Sequence, residues 1–306
     1  MSYEYYIGVI DKAGVLAECG PMRLVIRAWN QGQPQIALAR QAAEEAFGCL
    51  ERIAVCRPLL SRPWPQIAES PADQLARRMI SSVEAVGDDD LTPMAAVAGT
   101  IADATADWLF ERGLTKVVVD NGGDIAIRLA EGETVNVGVR PSPRSLTLSH
   151  VLGLDWQRHS WGVTTSGFGG RSFSRGIASA ATVLAASAST ADAASTAIAN
   201  ACFVESKNIR RLSAEQIDPN SDLAGTEVTV GIGELSKPEI EAALKKALQR
   251  AEDLVVRGVI CGALICRDKI SAMTSSFKPF VCRLSNSRDA DAGAPAACQD
   301  LMQASL

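Results

Sequence analysis

GVTTSGFGGRSFSRGIASAATVLAASASTADAASTAIAN, residues 162–200, passes from a Gly/Ser/Thr-rich loop through a short apolar strand into an Ala-rich helix. The helix carries Asp192, Thr196 and Asn200 at i, i+4 and i+8, so three polar side chains stack along one edge of a small, apolar rod. A glycine loop facing a helix that offers a carboxylate and a hydroxyl suits a nucleotide or a metal. This pairing of strand end and helix start is the unit around which the rest of the chain is read.

Working outward, the N-terminal side predicts strands over residues 3–10 and 22–29, joined by a Gly-containing turn, and a helix over 36–53. A Pro-rich connector follows. Ser70-Pro71 then reads as N-cap and N1 of a second helix running to about Val86. Thr92-Pro93 repeats that start signal. The helix after it places Met94, Val97, Ile101, Thr105, Trp108 and Leu109 on one face and ends at Gly113. The period then changes to two. Residues 116–120 predict a strand, and 125–129 with 134–140 predict a hairpin around Glu131-Gly132-Glu133. Further strands are expected at 146–154, 159–165 and 180–185, and a helix at 190–203. Ser236-Lys237-Pro238-Glu239 is a capping box opening a helix to about Val256, followed by a strand over 259–265 and strand-like sequence at 270–273. Helices and strands are grouped rather than alternating, which points to an α+β fold over a doubly wound sheet. Residues 1–285 read as one domain, and 286–306, polar and Ala/Gly-rich, as a loosely ordered tail.

Composition bounds the function. The chain has 306 residues, is 47% hydrophobic and only 5% aromatic, and carries a formal charge of −5 with no basic block, which argues against nucleic acid and anionic membrane surfaces. The start has no secretory pattern, and the longest apolar stretch, 178–204, is broken by hydroxyls, Asp192 and Asn200, a poor membrane span. A cytoplasmic protein is expected, with a homo-oligomer left open. Cys19, Cys49, Cys56, Cys202, Cys261, Cys266, Cys282 and Cys298 form no CxxC pair, and His150 and His159 are the sole histidines. Reduced thiols are therefore expected rather than a zinc or iron–sulfur site.

Three short motifs carry the chemistry. Asn121-Gly122-Gly123-Asp124 lies between two strands; its glycines can turn at positive φ and present N–H groups to an anion, or simply close a hairpin. Thr164-Thr165-Ser166-Gly167, with Gly169, Gly170, Arg171 and Ser172 beyond, is dense in groups that contact phosphate, unless it is a surface loop. Asp192 and Thr196, one turn apart, can share a hard cation such as Mg²⁺; alternatively Ser189-x-x-Asp192 is a capping box in which Asp192 serves its own helix. A loop nucleophile, Ser166 or Ser172, with Gly122 and Gly123 N–H groups as oxyanion hole, would instead make a metal-independent hydrolase of a small cyclic amide. A noncatalytic flavin- or ligand-binding module is the third possibility.

The order of these motifs resembles the ApbE-like superfamily, which includes Mg²⁺-dependent flavin transferases that take FMN from FAD and attach it to a threonine or serine of a target protein. Asn121-Gly122-Gly123-Asp124-Ile125 resembles the NxGGDI turn, Thr165-Ser166-Gly167 the TSG loop, and Ala191-Asp192-Ala193-Ala194-Ser195-Thr196-Ala197 the ADAxxTA helix start. Asp192–Asn200 and Thr92–Gly99 are closer still to a shortened branch of that superfamily. The resemblance implies a two-layer, duplicated, T-fold-like α/β arrangement. It implies a metal held by Asp192 and Thr196, and FAD as the ligand of the transferases; the ligand-binding set read from the two loops is Asn121, Gly122, Gly123, Asp124, Thr164, Thr165, Gly167 and Arg171. Between the TSG loop and the metal helix the transferases carry an HIIDPxTG-like segment. This chain has residues 169–180 there, with neither its His nor its Asp.

Overall fold

A computed structural model describes residues 4–282. The chain opens with strands β1 (Tyr5–Val9), β2 (Gly14–Cys19), β3 (Met22–Asn30) and β4 (Gln33–Pro34), then helices α1 (Ile36–Leu60), α2 (Gln74–Val86) and α3 (Val97–Phe110). Strands β5 (Lys116–Asn121), β6 (Ile125–Leu129), β7 (Thr134–Val139), β8 (His150–Asp155), β9 (Ser160–Ser166) and β10 (Ala180–Ala185) precede α4 (Ala188–Ala201). The remainder is β11 (Ile209–Ser213), β12 (Glu227–Ile232), α5 (Lys237–Val256), β13 (Gly262–Arg267), β14 (Ile270–Met273) and β15 (Val281–Cys282). The tail expected over 286–306, and Cys298 within it, lie outside the described residues.

Ten strands form one antiparallel sheet in the order β1-β2-β3-β5-β6-β9-β10-β13-β14, with β4 beside β3. Alternation along each strand divides its side chains between two cores. Val15, Ala17, Leu24, Ile26, Val117, Val119, Ala126, Ala181, Val183, Ala263 and Ile265 pack against the five helices. Ile127, Leu129, Trp161, Val163, Leu184 and Leu264 face the other way and meet Val137, Val139, Leu152 and Leu154. Those last four belong to a small sheet, β15-β8-β7, that covers only one half of the long one. Grouped helices over an antiparallel sheet are the α+β arrangement the segment order predicts.

Alanine-rich α4 is buried along most of its length. Small residues let its first turn press against its neighbours. A Cβ on Gly99 would stand 2.2 Å from the Ala188 carbonyl oxygen, and one on Gly162 would stand 2.2 Å from that of Ser187. These glycines are what bring α3, β9 and α4 together at the candidate site.

Several expectations are corrected. The segment between the first two expected strands is itself a strand, β2, paired with both neighbours. β6 and β7 do not form a hairpin: β6 pairs with β5 and β9, and β7 with β8. The hairpin lies one turn earlier, at 121–124. α2 starts at Gln74 with Asp73 as N-cap, its carboxylate accepting from the Leu75 and Ala76 N–H groups, so Ser70-Pro71 precedes the helix. α1 runs past Ile53 to Leu60, through Pro58 near its end. α3 ends at Phe110, and Gly113 turns the chain beyond it at φ +82°. The Ser236–Glu239 capping box is present as expected. The seven described cysteines are unpaired.

Candidate functional site

The 121–124 segment closes the β5–β6 hairpin. The Asn121 N–H donates to the Asp124 carbonyl at 3.1 Å, and Gly122 and Gly123 take φ +69° and +108°, the positive values that a two-residue type I′ turn demands. Asn121 is buried and donates from its side chain to the Ala98 carbonyl at 3.1 Å, tying the turn to the start of α3. The Gly123 N–H is occupied by Asp120 Oδ1 at 2.7 Å. It is therefore not free for the oxyanion hole considered from the sequence. Arg171 lies over the turn, its Nη1 only 2.7 Å from where a Gly122 Cβ would stand. Gly122 thus lets a guanidinium approach the backbone.

Asp124 points to the helix side of the sheet. Its Oδ1 is removed from solvent and has no hydrogen-bond partner among the described residues. The same holds for the Thr164 hydroxyl, on the strand beside it. Burial, then the nearby Asp192 and Asp120 carboxylates, push the Asp124 carboxyl well above its usual range, against a Thr165 backbone hydrogen bond and the Arg171 charge.

Asp192 is a cap, but not of its own helix. α4 is capped by Ser187, whose hydroxyl accepts from the Thr190 N–H. Asp192 Oδ2 instead accepts from the Gly99 N–H at 2.9 Å, and the Ala98 N–H also bonds the carboxylate, so it caps α3, which has no side-chain cap of its own. Burial pushes the Asp192 carboxyl up to about 7; these two N–H bonds oppose the shift, and Asp103 adds to it.

The exchange is reciprocal. Asp103 of α3 accepts from the N–H groups of Ala188 at 3.1 Å and Ser189 at 2.9 Å, capping α4. Asp103 and Asp107 stand at i and i+4, as do Asp192 and Thr196. Arg128 spans the first pair, with Nη2 at 2.9 Å from Asp103 and 2.7 Å from Asp107. None of Asp103, Asp107 and Arg128 was singled out from the sequence. The only signal is the i, i+4 acid spacing on α3, which by itself reads as a solvated face.

The hydroxyls sort by strand parity. Ser166 contacts Thr196 at 3.2 Å and Ser195 at 3.0 Å, on the α4 side. The Thr165 hydroxyl points to the opposite face, where it meets Thr182 at 2.9 Å, so only its backbone serves the site. Gly167 sits against the Ala178 and Ser179 carbonyls, where a Cβ would come within 2.8 Å. Ser172 is exposed in the loop next to Arg171. Neither histidine joins them: His150 contacts Ser149 and His159 the Leu129 carbonyl, so Ser166 and Ser172 have no histidine hydrogen-bonded to them among the described residues.

Further along α4, Ala197, Asn200 and Ala201 line a cavity of about 600 Å³ with Arg175, Arg211 and Phe203, under the Asp88–Asp90 loop. The Asn200 carboxamide accepts from the Arg175 N–H at 3.0 Å. All three polar residues of the helix edge are therefore engaged at one continuous face. Among the described residues no group of three His, Cys, Asp or Glu side chains is arranged to hold a metal, so any cation would rest on two carboxylates plus hydroxyl and carbonyl oxygens.

An antiparallel α+β scaffold with carboxyls gathered between a glycine turn and the first turns of a helix defines the structural class. Residues 10–273 match the family described as AbpE bacteria, and the chain belongs to that family. The superfamily resemblance carried by the three motifs is thereby shown. Among curated relatives, a UPF0280 protein of Methanococcus aeolicus is 36% identical over 133 residues, covering 43% of this chain and 52% of that protein. One of Methanosphaerula palustris is 35% identical over 169 residues, covering 55% and 69%. The chain thus spans from about half to two thirds of those relatives' length. A structure of the ApbE protein from Thermotoga maritima aligns over 92% of this chain and 100% of its own, with a TM-score of 0.48 and 16% identity. The apo flavinyl transferase ApbE of Pseudomonas stutzeri aligns over 91% and 96%, with a TM-score of 0.46 and 14% identity. No helix among the described residues is long and apolar enough to cross a membrane.

Proposed function

We propose that this protein binds an anionic heterocyclic ligand of the flavin-nucleotide class together with a divalent cation, and acts as a transferase of the ApbE type. The observation that carries the reading is the Asp124 carboxylate. The residue is half-buried, its Oδ1 is shut off from solvent and has no partner among the described residues, and its main charged neighbours include a buried carboxyl, Asp192. Side by side and short of partners, the two carboxyls are held toward their protonated forms, and a hard cation with oxygen ligands would let both ionise. Family membership supplies the context.

In this reading Asp124, Asp192 and Thr196 hold the cation, Mg²⁺ or Mn²⁺. When bound, the ion would neutralise pyrophosphate charge. The chain's own residues do the rest. Asn121, anchored on Ala98, fixes the turn against α3. Arg171 supplies a guanidinium for ligand phosphate beside Gly122. The Ser166–Thr196–Ser195 hydroxyls fix the rotamers next to the cation. Further along the same helix, and lined by Arg175, Asn200 and Arg211 instead of these residues, a groove of about 600 Å³ is within the range of small-molecule sites. The reciprocal Asp103 and Asp192 caps support the duplicated, T-fold-like reading of the architecture, within a single domain spanning 1–285.

Thermal melting tests this directly. Mg²⁺ or Mn²⁺ should raise the midpoint, FAD with the ion should raise it further, and Asp124→Asn should remove the ion's effect. A wild type that responds to neither ion, with or without FAD, would refute the reading.

A further inference from the structure

Among the described residues the long sheet has two edges of different character. β14 has four residues and follows Arg267, the end of β13, and a tight turn of Asp268, at φ +54°, and Lys269. Short strands and nearby charge blunt an edge. β1, five residues long, carries its charges outside the strand, at Glu4, Asp11 and Lys12. From Tyr5 to Ile10 there is no charge and no proline, and its pairing with β2 is regular. Tyr5, Tyr6, Val9 and Ile10 are 71%, 55%, 52% and 46% exposed.

These four side chains alternate between the two faces of the sheet. A body docking on either face would cover only half of them. A further strand in the plane of the sheet would flank all four. The backbone parity fits. The Ile10 N–H donates to the Gly14 carbonyl at 3.0 Å, and Gly8 and Tyr6 pair in the same phase, so Tyr5, Ile7 and Val9 direct their N–H and carbonyl groups away from β2.

We propose that the missing neighbour is β1 of a second copy of this chain, antiparallel about a two-fold axis at Gly8. An isologous contact needs a self-complementary strand. This register pairs Ile7 with Val9 and Tyr6 with Ile10 of the second copy, and brings the flanking Glu4 toward its Lys12. Gly8 then faces itself at a position where opposite Cα atoms come within about 4.5 Å. The Tyr6 ring already folds over Gly8, with its Oη 2.1 Å from where a Cβ would stand, so a side chain there would displace the ring. Each contact occurs twice, and the ends of the strand carry opposite charges.

Sedimentation velocity on the full chain tests the proposal. The wild type should sediment as a dimer of the 32.3 kDa chain. Val9→Pro removes an outward N–H that is not used within the sheet, and Val9→Lys places charge on the edge without a backbone change; both should yield folded monomers by circular dichroism. Glu4→Lys should weaken association roughly tenfold at low salt, because the axis repeats the like-charge contact. Glu4→Lys with Lys12→Glu should restore it. A wild type that stays monomeric at the highest attainable concentration overturns the proposal. So does a dimer that withstands both Val9 changes, or a double charge swap that fails to recover what Glu4→Lys loses.

Discussion

The paired helices α3 and α4 end in two acidic corners built to the same plan and finished differently. At one corner Asp103 caps α4, Arg128 bridges it to Asp107, and Arg78 pairs with Asp107 as the second cation. At the other Asp192 caps α3, and the i+4 position holds Thr196, with Asp124 close by and no guanidinium between. Arg128 is only 8% exposed and Asp103 1%. The first corner is an internally compensated ion cluster. The second sets two carboxyls side by side, both shifted toward the protonated form, and leaves an oxygen unbonded. Where the fold needs only strength it supplies its own cation; where it leaves the cation out, it keeps carboxyls that a bound cation would ionise.

The sharpest way to break this contrast is at the compensated corner. Arg128→Met should cost about 3–5 kcal/mol in urea unfolding, because it leaves a buried carboxylate unpaired. A loss below about 1 kcal/mol would mean that the cluster is not the strut described. At the open corner, Mg²⁺ at a hundredfold excess over its Kd should stabilise the wild type by about 2.7 kcal/mol. Asp192→Asn should erase that gain while keeping an amide oxygen for the α3 cap. Thr196→Val should only weaken it. An Asp192→Asn protein that still answers to Mg²⁺ would move the cation elsewhere.

Acidity provides a further comparison. Burial raises the Asp192 carboxyl to about 7, so the folded protein holds this proton at pH values where the unfolded chain has lost it. In chelator, the contribution of Asp192 to stability should therefore be greatest below about pH 4. It should fall as pH rises toward 7 and level off beyond. Subtracting the pH profile of Asp192→Asn isolates this slope, and a flat difference would contradict it. The smallest effect belongs to the cap of α2, where Asp73 holds its own helix start and an exposed ion pair with Arg52 of α1 at 2.7 Å. Asp73→Ala should cost on the order of 1 kcal/mol, equally with and without Mg²⁺.

What could be read in advance was local. The apolar run 180–185 is β10 to the residue, and the Ser236–Glu239 signature opens α5 where expected. The 121–124, 164–167 and 192–196 motifs come together on the helix side of the sheet. What escaped depends on partners distant along the chain. Asp192 beside Ser189 looks like a cap of its own helix, but its N–H partner is Gly99, 93 residues away. The alternation in 134–139 is strand-like, yet nothing in it says that β8 is its partner rather than β6. Thr165 and Ser166 are equivalent as letters, and only the pleat sends one hydroxyl toward α4 and the other away.

The crossed caps also bear on the order in which the chain can mature. Asp103 waits for N–H groups 85 and 86 residues further along, and the first turn of α3 waits for Asp192. During N-to-C synthesis, α3 therefore emerges with its start untied and its acids uncompensated from α4. It can be completed only when the segment through β10 has been made and has turned back over it. A nascent chain stopped short of Ala188 should remain open to proteolysis within the first turn of α3, and one extended past Ala201 should gain protection there in a single step.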